Sequence, residues 1–125
     1  MASIIKVLSF FLVVAFLVEG GTAYNCKTSD IILRQNPTGR SGPKGAEYSV
    51  EVVNNCACSQ FNLIVACHGF NSNTHVDQRW LKPVGGGNCI VNSGYAIIRG
   101  FNIGFFYVGP TKFSLTPKKS DVRCP

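Results

Sequence analysis

The run Glu47-Tyr48-Ser49-Val50-Glu51-Val52-Val53-Asn54-Asn55-Cys56-Ala57-Cys58 decides how the rest of the chain is read. Tyr48, Val50 and Val52 alternate with Glu47, Ser49 and Glu51, which gives one apolar and one polar side, the period of a half-buried strand. Two cysteines follow with only Ala57 between them. At that spacing they are badly placed for a mutual bond, so they are expected to reach different partners. A strand running straight into two separate cystines describes a β-rich, disulfide-stapled domain.

On either side of this run, residues 30–35, 61–67, 95–98, 103–108 and 112–115 are rich in Ile, Val, Phe and Tyr, which suit a pleated surface. They predict about six short strands. Turn chemistry separates them: Pro37-Thr38-Gly39-Arg40-Ser41-Gly42-Pro43-Lys44-Gly45, Pro83-Val84-Gly85-Gly86-Gly87-Asn88, Asn92-Ser93-Gly94 and Gly109-Pro110. Residues 74–81 would allow one helical turn, and no segment holds a helical period for three turns. The expected fold is all-β, a small disulfide-stapled antiparallel β-sandwich.

The compartment follows from the first residues. Lys6 precedes an apolar run from Val7 to Val18, and Gly20-Gly21-Thr22-Ala23 closes it with small residues. This is the pattern of a signal peptide over residues 1–23, cut after Ala23. The apolar run is about 12 residues, short of the roughly 20 that cross a bilayer, so no membrane span is expected in the mature protein. Removing 23 residues from 125 leaves 102, one domain over residues 24–125 with one core. Lys6 and Glu19 leave with the leader, so 11 basic and 5 acidic residues remain, a net charge of +6. A secreted, cationic domain favours acidic partners such as an acidic cell-wall polysaccharide or matrix polymer, anionic lipid or an acidic receptor face, and the compartment disfavours nucleic acid.

All six cysteines, Cys26, Cys56, Cys58, Cys67, Cys89 and Cys124, fall after the leader, which predicts three disulfides in an oxidising route. Six cysteines allow fifteen pairings. The sequence does not choose among them; a bond between Cys26 and Cys124, near the two ends, is one candidate and would be worth about 4 kcal/mol through the unfolded chain. Cys56, Cys58, Cys67 and His68 are suitable zinc ligands by type, but their spacing matches no common zinc pattern, and no metal is expected.

Catalytic chemistry finds little footing. Asp30, Glu47, Glu51, Asp77 and Asp121 form no pair in a hydrolytic setting, and neither His68 nor His75 sits beside a nucleophile in sequence. Gly85-Gly86-Gly87 does not open a helix and lacks the lysine and hydroxyl of a phosphate loop, so it reads as a turn. No catalytic residue and no cofactor is expected. Trp80, the single tryptophan, lies between Arg79 and Leu81-Lys82. Arg79, Trp80 and Lys82, with the loop 71–77, are the partner-binding candidates, because aromatic and arginine side chains dominate contact hot spots. A ring capping the core is the competing reading of Trp80. Phe101, Phe105, Phe106 and Tyr107 read first as sheet packing.

The spacing of these pieces resembles the plant tapetum determinant family of small secreted cysteine-rich proteins. The likeness rests on Cys26 with Asp30-Ile31-Ile32 and Gln35, on the Glu47 to Cys58 run, on Cys67-His68-Gly69-Phe70, on Cys89-Ile90-Val91-Asn92-Ser93-Gly94, and on Phe105-Phe106-Tyr107 with Cys124. Ala96 stands where the family usually has proline. The resemblance implies a secreted, apoplastic ligand bound by a leucine-rich-repeat receptor kinase ectodomain in anther and tapetum development, with no enzymatic activity. The alternative is an extracellular module that binds cell-wall polymer or serves defence without receptor signalling.

Overall fold

The computed structural model describes residues 25–70 and 74–125. The leader expected over 1–23 and residues 71–73 of the loop 71–77 lie outside the described residues. Eight strands run in the order β1 (Ile31–Gly42), β2 (Gly45–Asn54), β3 (Ser59–Ala66), β4 (His75–Val76), β5 (Leu81–Gly85), β6 (Asn88–Val91), β7 (Ile103–Gly109) and β8 (Thr116–Arg123). They form two four-stranded antiparallel sheets, β1-β2-β7-β4 and β5-β6-β3-β8, here sheets A and B. The two sheets close on one core. Ile31, Val50, Val52, Phe105 and Tyr107 come from sheet A, and Leu63, Val65, Leu81, Cys89 and Val91 from sheet B.

The alternation that opened the reading is the one the fold uses. Val50 and Val52 are buried and face Phe105 and Ile103 across the β2–β7 ladder, while Glu51 lies between Arg34 and Gly104 on the outer side. Gly86 and Gly87, at φ +64° and +76°, form the two-residue connection between β5 and β6. Positive φ at both positions matches the twist a tight hairpin needs, which is why this glycine run is a turn.

The chain departs from expectation in several places, beginning with strand β5, which runs through Pro83 and Val84 into the expected turn. The expected loop after Pro37 is strand: β1 continues to Gly42 and pairs again with β2 at Ser41 and Gly42, past an irregularity that absorbs Gly39. Residues 95–98 are not a strand. Asn92, Ser93 and Gly94 all adopt positive φ and reverse the chain, so that only Ile97 lines up with Gln60. Residues 112–115 are irregular although Phe113 and Leu115 are buried, and the strand comes afterwards, over the polar Thr116–Arg123. That edge strand shows little apolar alternation because its core side carries Ser120, hydrogen-bonded to the buried Gln60, beside Val122. Of the aromatic run, Phe105 and Tyr107 enter the core, whereas Phe106 and Phe101 are 58% and 74% exposed.

Three disulfides form: Cys26–Cys56, Cys58–Cys124 and Cys67–Cys89. Cys56 and Cys58 do reach different partners. The candidate Cys26–Cys124 bond does not form, and the strand registers give the reason. Ile31 pairs with Asn54, so the segment before β1 runs beside the segment after β2 and brings Cys26 to Cys56. Ser59 pairs with Arg123, so the next pair outward is Cys58 with Cys124. With 66 residues between its ends, the Cys58–Cys124 bond still closes a loop worth about 4 kcal/mol in unfolded-chain entropy.

Tyr107 ties the irregular 110–115 segment to sheet A. Its hydroxyl donates to Gln35 Oε1 and accepts from the Phe113 N–H at 3.0 Å, while Gln35 Nε2 donates to the Phe113 carbonyl at 2.7 Å. Burial pushes the Tyr107 phenol above its ordinary 10.0, partly opposed by the Phe113 hydrogen bond. A raised folded-state value means that the folded protein holds this proton more tightly than the unfolded chain. The contribution is complete below about pH 10 and is lost as pH rises through the folded value. Urea unfolding is therefore expected to show stability falling above pH 10. Tyr107→Phe should start about 1–3 kcal/mol lower, because it strands the buried Phe113 N–H, and should lose less on the alkaline side.

Candidate interaction surface

The sequence after β6 builds a projecting turn. Following the reversal at Asn92–Gly94, the Tyr95 N–H donates to the Asn92 carbonyl at 3.0 Å and Asn92 Nδ2 donates to the Ala96 carbonyl at 3.3 Å. Ile97 then goes fully into the core and exchanges both backbone hydrogen bonds with Gln60, at 2.8 and 3.1 Å. Its carbonyl also accepts from Asn54 Nδ2 at 2.8 Å. Beyond this anchor the chain turns back within four residues, closed by Phe101 N–H donating to the Ile98 carbonyl at 3.1 Å, with Gly100 at φ +87° in the third position. Positive φ there favours glycine.

This brace holds out what a lone soluble domain normally hides. Tyr95 is 71% exposed, Ile98 44% and Phe101 74%, with Arg99 exposed between them. Scattered exposed apolar residues are ordinary, but three on one fixed turn make a candidate contact surface. Burying a phenylalanine in a partner is worth about 1.5–3 kcal/mol by transfer. The chain then enters the outer side of sheet A, where Gly104 leaves a groove of about 480 Å³ walled by Phe106 and by the Arg34–Glu51 ion pair at 3.2 Å.

The residues singled out from sequence lie around this turn but do not point the same way. The Arg79 carbonyl accepts from Ser93 Oγ at 3.0 Å and the Trp80 carbonyl from the Asn92 N–H at 2.9 Å, so the 77–81 segment backs the turn. Arg79 itself is exposed and forks onto Asp77 at 2.6–3.1 Å, and this guanidinium holds the Asp77 carboxyl below its usual range. Trp80 is half-buried and packs on the core. Lys82 lies on the outer side of sheet B. Tyr95, Ile98, Arg99, Phe101 and Phe106 did not stand out in sequence as contact residues. The nearest signal is the pair Gly94 and Gly100, which brackets the turn.

The sulfur chemistry is closed. Cys56, Cys58 and Cys67, read above as ligands by type, all have their sulfurs in disulfides. Among the described residues, the cluster with metal-ligand spacing is Cys26, Asp30 and Cys56, and its two sulfurs are bonded to each other. His68 lies against the β5–β6 turn at Gly87, and His75 pairs with Val108 at the edge of sheet A.

Residues 27–125, well over half of the chain, match the family described as Tapetum determinant 1, C-terminal. The chain belongs to that family. Among its relatives, TPD1 protein homolog 1 of Arabidopsis thaliana is 28% identical over 94 residues, covering 74% of this chain and 52% of that protein. The chain thus spans about half the length of the curated relative it matches. No solved structure matches. In this tapetum determinant domain the matched region holds five of the six cysteines, beginning one residue after Cys26, and the whole 95–101 turn.

If the turn is built for contact and Ile97 for anchorage, truncation separates the two roles. Tyr95→Ala and Phe101→Ala should each change the unfolding free energy by less than about 0.5 kcal/mol. Ile97→Ala should cost about 2–5 kcal/mol. Urea titration of the three variants checks this.

Proposed function

We propose that this tapetum determinant-family protein is a secreted, non-enzymatic signalling ligand of plant reproductive tissue that docks on the ectodomain of a leucine-rich-repeat receptor kinase. The observation that carries the reading is the braced turn with Tyr95 and Phe101 held out at 71% and 74% exposure. A ligand gains affinity when its contact groups are fixed before binding, since less ordering entropy is lost on association. The hydrogen bonds at Ile97 and the cystines at Cys56 and Cys58 supply that fixity. Family membership supports the signalling role and the reproductive setting. Three disulfides in so short a chain support an extracellular site of action.

The reading is tested by secreting the full chain from an oxidising host and titrating it onto a panel of leucine-rich-repeat receptor ectodomains. Saturable binding below about 1 µM, weakened roughly 30-fold or more by Tyr95→Ala with Phe101→Ala, is the expected result for hot-spot residues. Absence of saturable binding across the panel, or affinity indifferent to both rings, would overturn it.

A further inference from the structure

The positive charge of this protein is not spread evenly. The outer side of sheet A carries Arg34 paired with Glu51, together with Glu47. The outer side of sheet B is different. Lys82, Ile90, Ile64 and Lys119 are consecutive partners across β5, β6, β3 and β8, a single row with a lysine at each end and two half-buried isoleucines between. At about 4.8 Å between strands, the two lysine positions are roughly 14 Å apart. Farther along β8, Arg123 lies over the Phe61 ring at 4.4 Å. Asp121 is the acid of this side and is engaged by Asn62 Nδ2 at 2.8 Å. The two ion pairs found among the described residues, Arg34–Glu51 and Arg79–Asp77, involve none of these cations. A cleft of about 320 Å³ is lined by Asn62, Ile64, Ile90, Lys119, Ser120 and Asp121, the last held by Asn62.

We infer that this side of sheet B is a binding site for a polyuronate, a polysaccharide with repeated carboxylates, distinct from the aromatic turn. The chemistry selects that occupant. The row runs across all four strands, so it suits a linear polymer crossing them. Among the described residues Lys82 and Lys119 form no ion pair and would pair with carboxylates of the ligand, while Ile64 and Ile90 offer an apolar floor to the C–H face of a sugar ring. A membrane would call for bulky apolar side chains projecting outward, and here only Val84, at 52% exposure, stands out. Single-stranded nucleic acid would call for open aromatic rings, and Phe61 is already covered by Arg123. The inference does not depend on the receptor reading.

The test titrates the full chain with oligogalacturonate, with its methyl-esterified form and with anionic phospholipid vesicles, at low and at physiological salt. The expected result is binding to the acidic oligosaccharide that weakens with salt and is lost on esterification. Lys82→Gln with Lys119→Gln should lower that affinity about tenfold. Arg40→Gln with Lys44→Gln, the same charge change at the β1–β2 hairpin tip, should leave it within about twofold. Thermal unfolding verifies that both variants fold, and receptor-ectodomain binding of the lysine variant separates failure here from failure of the signalling role. Equal loss in both charge variants, equal binding of the esterified oligosaccharide, no binding at low salt, or binding to vesicles alone would each overturn the inference.

Discussion

The buried amide of Asn54 is the contact on which the rest of the architecture turns. It sits where the chain leaves sheet A for sheet B, 1% exposed, with every polar atom occupied. Its Oδ1 accepts from the Cys56 N–H at 2.9 Å, and its Nδ2 donates to the carbonyls of Cys58 at 2.9 Å and Ile97 at 2.8 Å. One side chain thereby shapes the Cys56-Ala57-Cys58 corner and fixes the anchor of the aromatic turn. The flanking cystines extend the same constraint to both ends, since Cys56 takes Cys26 and Cys58 takes Cys124. A buried polar group with a missing partner is costly, so such a hub tolerates little variation in the backbone around it.

How much of this was legible in the sequence depends on the physical signal. Strand β2 was plain because one side of it is buried and period-two alternation reports burial directly. The divergent fates of Cys56 and Cys58 were legible because chain geometry forbids the alternative. The pairing itself was not, since it is set by the long-range registers of β1 with β2 and β3 with β8, which no local pattern encodes. Strand β8 was hidden by its composition, with Ser120 reaching Gln60 where an apolar residue would have advertised a core face. The candidate surface was hidden for the opposite reason. Tyr95, Ile98 and Phe101 look like strand or core residues by type, and only the three successive positive-φ residues before them turn them outward. Of the residues singled out in sequence, Arg79 and Trp80 back that turn through their carbonyls, whereas Lys82 lies on the outer side of sheet B.

The fold also separates two kinds of contact. Apolar rings on a fixed turn favour a shaped protein partner, where desolvation supplies affinity and rigidity limits the entropic cost. Lysines outside the described ion pairs, at the two ends of a cross-strand row, favour an extended polyanion through an interaction that is long-ranged and salt-dependent. Lys82 and Arg79 are close in sequence yet belong to different surfaces, because Leu81 between them is fully buried and its strand sends them apart. A cationic side and an apolar turn on one rigid body would let a secreted protein be retained in an anionic matrix while its contact turn stays free.

The most direct measurement on the central claim is amide hydrogen exchange of the full chain, free and in complex with a receptor ectodomain that binds it. The account predicts slowed exchange over residues 95–101 and the neighbouring 77–81 segment, with the outer side of sheet B unchanged. Protection confined to β5, β6 and β8, with the 95–101 amides exchanging as in the free protein, would contradict it.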